Sequence, residues 1–330
     1  MKIRNLVSIV FERLKEDDPL IFFCRVGRFL IYQCILYLKY FLSWKLLRLR
    51  LKNRYIEKEI MGNRMFLDVK EDMGISYDLF RIGFREPFAT KAFHEELSRG
   101  DVIVDIGANI GYYVLLEAML VGKEGKVYAI EPVPQNVDLL KKNIKLNNYS
   151  NVEVFQLAIG NENKKDLIYL SSKRNCGSMI KKAVMSTYKD EILVKVVSLD
   201  KFLENKPFPD LIRMDVEGYE IKIIRGMKKI LESNKPLKIF VEIHPNIMKG
   251  KTKDFLNILK NFGFQAKKVT HEPYSFLLNE PIFVKKIFSI VNQRMEFKFG
   301  YLNMTIDDLL ADKLLIRGRR RHLEVIFERI

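Results

Sequence analysis

The sequence predicts an α/β fold, a doubly wound Rossmann-like sheet preceded by an amphipathic helical segment. Residues 101–132 have the pattern of a strand, a glycine turn, a helix and a second strand, and short apolar runs then recur at βαβ spacing. An acidic residue, Glu131, closes the second strand 24 residues after Gly107. This is the position of the ribose-binding acid in a nucleotide-cofactor unit.

The N-terminal segment, residues 1–60, is basic and contributes 13 Lys and Arg against 6 Asp and Glu to a formal net charge of +16. Asp18 and Pro19 form a helix start, and the apolar-rich residues 20–47 follow. The longest uncharged run, 29–38, is ten residues, whereas a bilayer span needs about 20. An interfacial helix is therefore favoured over a helix packed on the next domain or a true span. The acids of this segment and the absence of a cleavage site argue against a secretory signal. The predicted location is cytoplasmic, peripheral at the inner face of an anionic membrane.

The remaining elements follow in order. Residues 61–100 are a lead-in with an alternating strand near 66–69 and a helix near 89–97 that ends before Gly100. Strands of the central sheet are predicted at 102–106, 126–130, 152–159, 210–216 and 237–244. Helices are predicted at 135–147, 219–231 and 253–262. An added strand pair, 166–171 and 192–197, flanks a loop at 171–179 that is placed to cover a ligand. Residues 246–330 complete the sheet and end in a basic tail.

The glycine turn indicates which ligand the unit binds. A dinucleotide fingerprint needs G-x-G-x-x-G so that the backbone can press against a pyrophosphate, but Asn109 stands at the second glycine position. A smaller adenosine ligand without phosphate fits this turn, and S-adenosylmethionine is the predicted cofactor. Its ribose hydroxyls would donate to Glu131, its carboxylate would lie at the helix start, and Asp105 could meet its ammonium group. The predicted cofactor-binding residues are Asp105, Gly107, Ala108, Asn109, Gly111, Tyr112, Glu131, Pro132, Ala158 and Ile159.

Four ordered blocks over residues 101–245 resemble the FkbM family of S-adenosylmethionine-dependent methyltransferases. They are V-D-I-G-A-N-I-G-Y-Y, I-E-P-V-P-Q-N, R-M-D-V-E-G-Y-E and V-E-I-H-P. The first block marks the wider superfamily, and the last two are characteristic of this family. The resemblance implies a class I methyltransferase sheet with a cofactor-binding core at 101–245. It also implies O-methylation of a hydroxyl, often on a sugar, glycan or glycolipid.

Four polar residues lie at or just past the carboxyl ends of predicted strands, where open α/β sheets bind ligands. The predicted catalytic residues are Asp215, Glu217, Glu242 and His244. His244 is the preferred general base because its ordinary pKa of about 6.5 is near working pH. A histidine that only caps a strand end is the alternative. The same set could hold a divalent metal, but no metal is predicted.

Other classes are less well supported. The cysteines, Cys24, Cys34 and Cys176, suggest neither a disulfide framework nor a zinc site. The arginine-rich tail after Lys313 suggests a nucleic-acid substrate as an alternative. A basic patch alone does not establish nucleic-acid binding, and no aromatic residues typical of RNA stacking accompany it. An NAD-dependent oxidoreductase and a non-catalytic binding protein on the same scaffold stay as alternatives. The oligomeric state cannot be read from the sequence.

Overall fold

The computed structural model describes residues 38–39, 41–72, 74–171, 177–185, 187–248, 250–271, 300–302, 304–318 and 323–329. The chain divides into two compact units, Met1–Arg54 and Tyr55–Ile330. The helix start at Asp18 and Pro19, the three cysteines and the arginines at 319–321 lie outside the described residues. Within the described ranges, no helix combines the length and the apolar character needed to cross a bilayer.

The described part of the first unit contains one helix, α1, over residues 38–39 and 41–50. Four of its leucines are between 48% and 83% exposed: Leu38, Leu42, Leu46 and Leu49. Their spacing of four, four and three residues places them on one face of the helix. Basic side chains lie on the same helix, and Lys45 and Arg48 lie over the rings of Phe41 and Trp44 at 4.9 and 5.3 Å. The described part of α1 therefore exposes four leucines on one side.

The second unit begins with an antiparallel hairpin and two helices that precede the central sheet. These are β1 (Ile56–Ile60), β2 (Asn63–Leu67), α2 (Ile75–Ile82) and α3 (Pro87–Glu96). Asn143 links the hairpin to the core, because its Oδ1 accepts from the Phe66 amide at 2.7 Å and its Nδ2 donates to the Ile110 carbonyl at 2.9 Å. Asn143 thus joins the hairpin to Ile110, which lies in the glycine turn between β3 and the following helix.

The core alternates strands and helices. Its first half contains β3 (Val102–Ile106), α4 (Tyr112–Val121), β4 (Lys126–Ile130), α5 (Pro134–Leu146) and β5 (Val152–Phe155). An inserted part contains β6 (Ala158–Gly160), β7 (Lys164–Ser171), β8 (Gly177–Ser178), α6 (Lys181–Val184), β9 (Tyr188–Ser198) and α7 (Leu199–Phe202). The second half contains β10 (Leu211–Met214), α8 (Glu220–Arg225), α9 (Lys228–Glu232), β11 (Leu237–Ile243), α10 (Pro245–Met248) and α11 (Thr252–Asn261). The last elements are β12 (Gln265–His271), β13 (Gly300–Leu302), α12 (Ile306–Ala311), α13 (Lys313–Ile316) and β14 (Leu323–Arg329).

The central sheet has eight strands in the order β13-β12-β14-β11-β10-β3-β4-β5. The strands from β11 to β5 are parallel, whereas β14 pairs antiparallel with β11 and with β12. The strand order reverses direction along the chain beside β3, because β4 lies on one side of it and β10 on the other. The predicted doubly wound α/β fold is confirmed, and ligands bind such sheets at this reversal.

The single strand predicted at 152–159 is wrong. β5 pairs with β4 in the central sheet, whereas β6 pairs with β9 in a separate four-stranded sheet of order β6-β9-β7-β8. The break falls at Gln156 and Leu157, where the Leu157 amide donates to the Phe155 carbonyl at 3.1 Å. Apolar residues continue through the end of β5 and into β6. The sequence pattern therefore does not show where the chain passes from one sheet to the other. The predicted pair 166–171 and 192–197 is confirmed as the antiparallel β7 and β9.

The single helix predicted at 219–231 is also interrupted, as α8 and α9. The break lies at Gly226 and Met227, between the two helices. A Cβ at Gly226 would lie 1.9 Å from the Gly160 carbonyl oxygen. This close approach of two backbones fixes the end of α8, and the helical spacing of apolar residues on both sides hides it from the sequence.

Candidate functional site

The glycine turn after β3 lies against the end of β10. Gly107 has a φ of +91°, and a Cβ there would lie 2.0 Å from the Asp215 carbonyl oxygen. The amides of Gly107 and Ala108 donate to the Ile130 carbonyl at 2.9 and 3.0 Å. Only glycine fits this position. Because it has no side chain, the carboxyl ends of β3, β4 and β10 can lie close together around one cavity.

Glu131 follows β4 and is 4% exposed. It accepts hydrogen bonds from the amides of Asn109 at 2.9 Å and Val133 at 3.0 Å, and from the Asn136 side chain at 3.1 Å. Burial raises its pKa to about 7, although these three hydrogen bonds act in the opposite direction. The carboxylate is therefore held rigidly at the cavity wall and titrates near neutral pH.

Six of the ten predicted cofactor residues line this cavity. They are Gly107, Asn109, Glu131, Pro132, Ala158 and Ile159. Ala108 and Gly111 are part of the turn but do not line the cavity. Tyr112 lies behind it, where its hydroxyl is 3.2 Å from Thr90 Oγ1 and donates to the Arg85 carbonyl. The predicted covering loop contributes Gly177 and Met179 to the cavity, while residues 172–176 lie outside the described residues.

The role expected for Asp105 does not agree with its position. Its side chain is fully buried and accepts from Arg213 Nη1 at 2.9 Å, so it does not line the cavity where a cofactor ammonium would lie. Arg213 stacks over the Tyr113 ring at 4.0 Å and also donates to Asp215 Oδ2 at 3.2 Å. Asp105 is a positioning residue for Arg213, and the sequence pattern shows only that it sits at a strand end.

Arg85 is a cavity-lining residue that the sequence analysis missed. Its carbonyl accepts from Thr90 Oγ1 at 2.8 Å, and its Nη2 donates to Glu86 Oε1 at 2.9 Å. Tyr113 in turn donates to Glu86 Oε2 at 2.9 Å. Burial would lower the pKa of Arg85, but the charges of Glu86, Asp78 and Asp215 raise it above its usual value. Arg85 is the one basic side chain among the described lining residues, and no local motif marks it because tertiary contacts alone bring it there.

The four predicted catalytic residues lie at or next to the same cavity. Asp215, Glu217 and Glu242 line it, and His244 lies behind them, largely buried. His244 Nε2 is 3.4 Å from Glu242 Oε1 and 3.6 Å from Glu217 Oε2. Its Nδ1 is 2.7 Å from Glu220 Oε1. Glu220 is a further member of the cluster that the sequence analysis did not include.

These contacts remove the reason for which His244 was predicted as the base. Burial lowers its pKa, but the charges of Glu242 and Glu217 and the hydrogen bond to Glu220 outweigh burial and raise it well above 6.5. Burial and the charge of Glu242 likewise raise the pKa of Asp215 well above its ordinary value, against the effect of Arg213. His244 thus lies within 3.6 Å of three carboxylates, those of Glu217, Glu220 and Glu242.

Comparison with known proteins agrees with the four blocks in the sequence. Residues 105–266 match the model of the methyltransferase FkbM domain. The hexuronic acid methyltransferase AglP of Haloferax volcanii is 29% identical over 156 residues, which cover 46% of this chain and 60% of that protein. A protein-L-isoaspartate O-methyltransferase of Ignicoccus hospitalis is 41% identical over 59 residues, 18% of this chain and 28% of that protein. The chain thus spans less than two thirds of each of these relatives.

A solved structure titled M. jannaschii TYW2 in complex with AdoMet is also similar. It is 18% identical, the alignment covers 85% of this chain and 89% of that one, and the TM-score is 0.40. The family match confirms the resemblance that the motifs predict. Residues 105–266, just under half of the chain, are a methyltransferase FkbM domain.

Proposed function

We propose that the protein transfers a methyl group from S-adenosylmethionine to a hydroxyl group of a sugar, glycan or glycolipid. The observation that carries the proposal is a single cavity that is lined by two chemically different groups of residues. We take the part lined by Glu131 and the glycine turn as the cofactor end, and the part lined by Asp215, Glu217 and Glu242 as the acceptor end. An adenosine ligand at the first end would direct its sulfonium methyl toward an acceptor at the second.

At the cofactor end, Glu131 would accept hydrogen bonds from the two ribose hydroxyls. Arg85 would hold the methionine carboxylate, because this residue lines the cavity together with the glycine turn and a planar guanidinium pairs well with a carboxylate. This places a cation where the sequence analysis expected only the backbone amides of the helix start. The absence of a second turn glycine speaks against NAD, whose pyrophosphate needs that close approach.

At the acceptor end, the hydroxyl oxygen would attack the sulfonium methyl in line with the carbon–sulfur bond. The new carbon–oxygen bond forms as the carbon–sulfur bond breaks, the electron pair goes to sulfur, and S-adenosylhomocysteine leaves. The hydroxyl proton passes to a carboxylate, for which Glu242 is the best placed because it lines the cavity while Asp215 is held by Arg213. Alignment supplies about 7 to 11 kcal/mol of the barrier in such reactions, and the base adds roughly 10²- to 10⁴-fold.

A sugar is the favoured acceptor class for two reasons. Several carboxylates around one opening can accept hydrogen bonds from neighbouring hydroxyls of a polyol, and the buried His244 keeps those carboxylates in place. AglP, a relative over about half of this chain, acts on a hexuronic acid by its name. Incubating the protein with labelled S-adenosylmethionine and extracted glycans and lipids tests this, and label found only in amine or nucleic-acid products would contradict it.

Glu131 gives a pH-dependent test of cofactor binding. Its pKa of about 7 means that it becomes protonated as the pH falls, and a protonated carboxyl no longer accepts both ribose hydroxyls. We therefore expect the dissociation constant for S-adenosylmethionine to rise roughly tenfold between pH 8 and pH 6. Isothermal titration calorimetry at intervals across this range measures the change.

The matched control for this measurement is Glu131→Gln, which cannot titrate. It should bind more weakly at pH 8 and lose most of the pH dependence, so that any remaining dependence belongs to the cofactor's own groups. A parallel titration with NAD should show no binding. Equal affinities of parent and variant at pH 8 would contradict the ribose assignment.

We also propose that α1 contacts an anionic membrane surface. Its exposed leucines form an apolar face beside basic residues, and each Lys or Arg near an anionic leaflet contributes about 1 kcal/mol. The double substitution Leu42→Glu and Leu46→Glu should abolish co-sedimentation of the full chain with anionic vesicles, and high salt should weaken binding of the parent. Leu193→Glu is the control, because Leu193 is 62% exposed on β9. Unchanged sedimentation of the double variant would show that α1 is not the contact.

A further inference from the structure

The acceptor end of the cavity has the geometry of a cation site. Asp215, Glu217 and His244 each offer one ligand atom, and these three atoms lie within 4.8 Å of one another. Two ligands that share one cation at about 2.1 Å lie no more than about 4.2 Å apart. A side-chain shift of a few tenths of an ångström therefore brings all three onto one ion.

A fully buried carboxylate behind His244 is an independent sign of such a site. Glu220 Oε1 is 2.7 Å from His244 Nδ1 and also accepts from the Gly218 amide at 3.1 Å. Its Oε2 has no hydrogen-bond partner among the described residues. Metal-ligating histidines almost always donate their second ring nitrogen to a carboxylate, which fixes the ring and its tautomer. Here that contact directs Nε2 toward the carboxylates of Glu217 and Glu242.

The charged side chains at the acceptor end also favour a bound cation. Four carboxylates meet there: Asp215, Glu217, Glu220 and Glu242. The nearby guanidinium of Arg213 is shared with Asp105, and that of Arg85 is paired with Glu86. A divalent cation bound by Asp215, Glu217 and His244 would reduce the repulsion among these carboxylates.

We propose that Asp215, Glu217 and His244 bind a divalent cation of the Mg²⁺ and Mn²⁺ class, which coordinates the acceptor hydroxyl. Two carboxylate oxygens and one imidazole nitrogen suit Mn²⁺ better than Zn²⁺, which favours nitrogen and sulfur ligands. Three protein ligands leave positions open toward the cavity. With the cation bound, the acceptor hydroxyl would lose its proton to Glu242, and its oxygen would take the methyl group as the carbon–sulfur bond breaks. Cation binding stands on the geometry alone, whereas this role of the cation depends on the proposed function.

Binding of Mn²⁺ to the full chain, stripped of metal with EDTA, tests the site. Electron paramagnetic resonance of free Mn²⁺ during a titration should show one saturable site. Glu217→Gln, Asp215→Asn and His244→Gln should each weaken it at least tenfold, and Glu220→Gln should weaken it roughly 10- to 100-fold through the orientation of His244. Glu232→Gln, at an exposed glutamate of α9, is the control and should bind as the parent does.

Two outcomes overturn the proposal: no saturable Mn²⁺ binding, or binding that the ligand substitutions leave unchanged. Circular dichroism confirms that each variant is folded, and the partly exposed Glu217 provides the variant least sensitive to folding effects. Methyl transfer that persists in EDTA, without Mn²⁺ binding, would reject the cation site and leave the proposed function standing. Mn²⁺ binding without methyl transfer to any hydroxyl acceptor would reject the function and leave the site standing.

Discussion

Gly107→Ala is expected to abolish S-adenosylmethionine binding and to lower the free energy of unfolding by more than about 3 kcal/mol. The added methyl group would lie 2.0 Å from the Asp215 carbonyl oxygen, a distance that no real Cβ adopts. β3 and β10 would have to separate at their carboxyl ends, which breaks the hydrogen bond of 3.0 Å from the Asp215 amide to the Ile106 carbonyl. Chemical denaturation measures the stability, and calorimetry measures the loss of cofactor affinity.

Gly100→Ala is the matched control for this substitution. Gly100 has a φ of +89°, nearly the same as Gly107, but nothing lies within 4 Å of the position of its Cβ. The control therefore isolates the strain of a left-handed backbone, about 1 to 2 kcal/mol, and should leave cofactor affinity unchanged. Equal losses of stability in the two variants would contradict the close approach of Gly107 to β10.

Glu242→Gln is expected to lower kcat by roughly 10²- to 10⁴-fold with the true acceptor. Glutamine keeps the size of the side chain but cannot take the acceptor's proton. The affinity for S-adenosylmethionine should stay within a few-fold of the parent value, because Glu131 and Arg85, and not Glu242, are proposed to hold the cofactor. Raising the pH should partly restore the rate as the acceptor ionises without assistance.

The control for this second prediction is Glu232→Gln, which removes an exposed carboxylate on α9. It should leave both kcat and cofactor affinity at parental values. Near-parental turnover of Glu242→Gln at neutral pH would move the proton-accepting role to Asp215 or Glu217. A simultaneous loss of cofactor affinity would instead indicate that the cavity had changed shape.

The sequence predicts a helix or strand correctly where its hydrophobic pattern ends at a residue that also marks the end of the element. β3 and β4 have the predicted bounds because a β-branched or apolar run is closed in each case by a glycine or an acid. The split between β5 and β6 could not be predicted, because alternation reports which face is buried and not which sheet the strand joins. The break at Gly226 depends on contact with Gly160, 66 positions away in the chain.

The candidate site was likewise predictable in part: the positions of its residues could be predicted, but their contacts could not. The sequence places Glu131, Asp215, Glu217 and Glu242 at strand ends, and parallel strands bring those ends to one edge, so their meeting could be predicted. The partners of each side chain could not. Asp105 turns to Arg213 and Arg85 enters the cavity from the lead-in segment, contacts that only the folded chain creates. The Nδ1 atom of His244 lies 2.7 Å from Glu220, a residue that a pattern of strand ends does not include.

The four-stranded sheet β6-β9-β7-β8 has a consequence for how relatives of this protein can diversify. Its strands pair only with one another among the described residues, so it can lengthen, shorten or exchange side chains without changing the register of the central sheet. It nevertheless supplies Ile168 and Gly177 to the cavity, and Ser178 Oγ donates to the Glu217 carbonyl at 3.0 Å. Natural selection can therefore change side chains that line the cavity without changing the register of the central sheet.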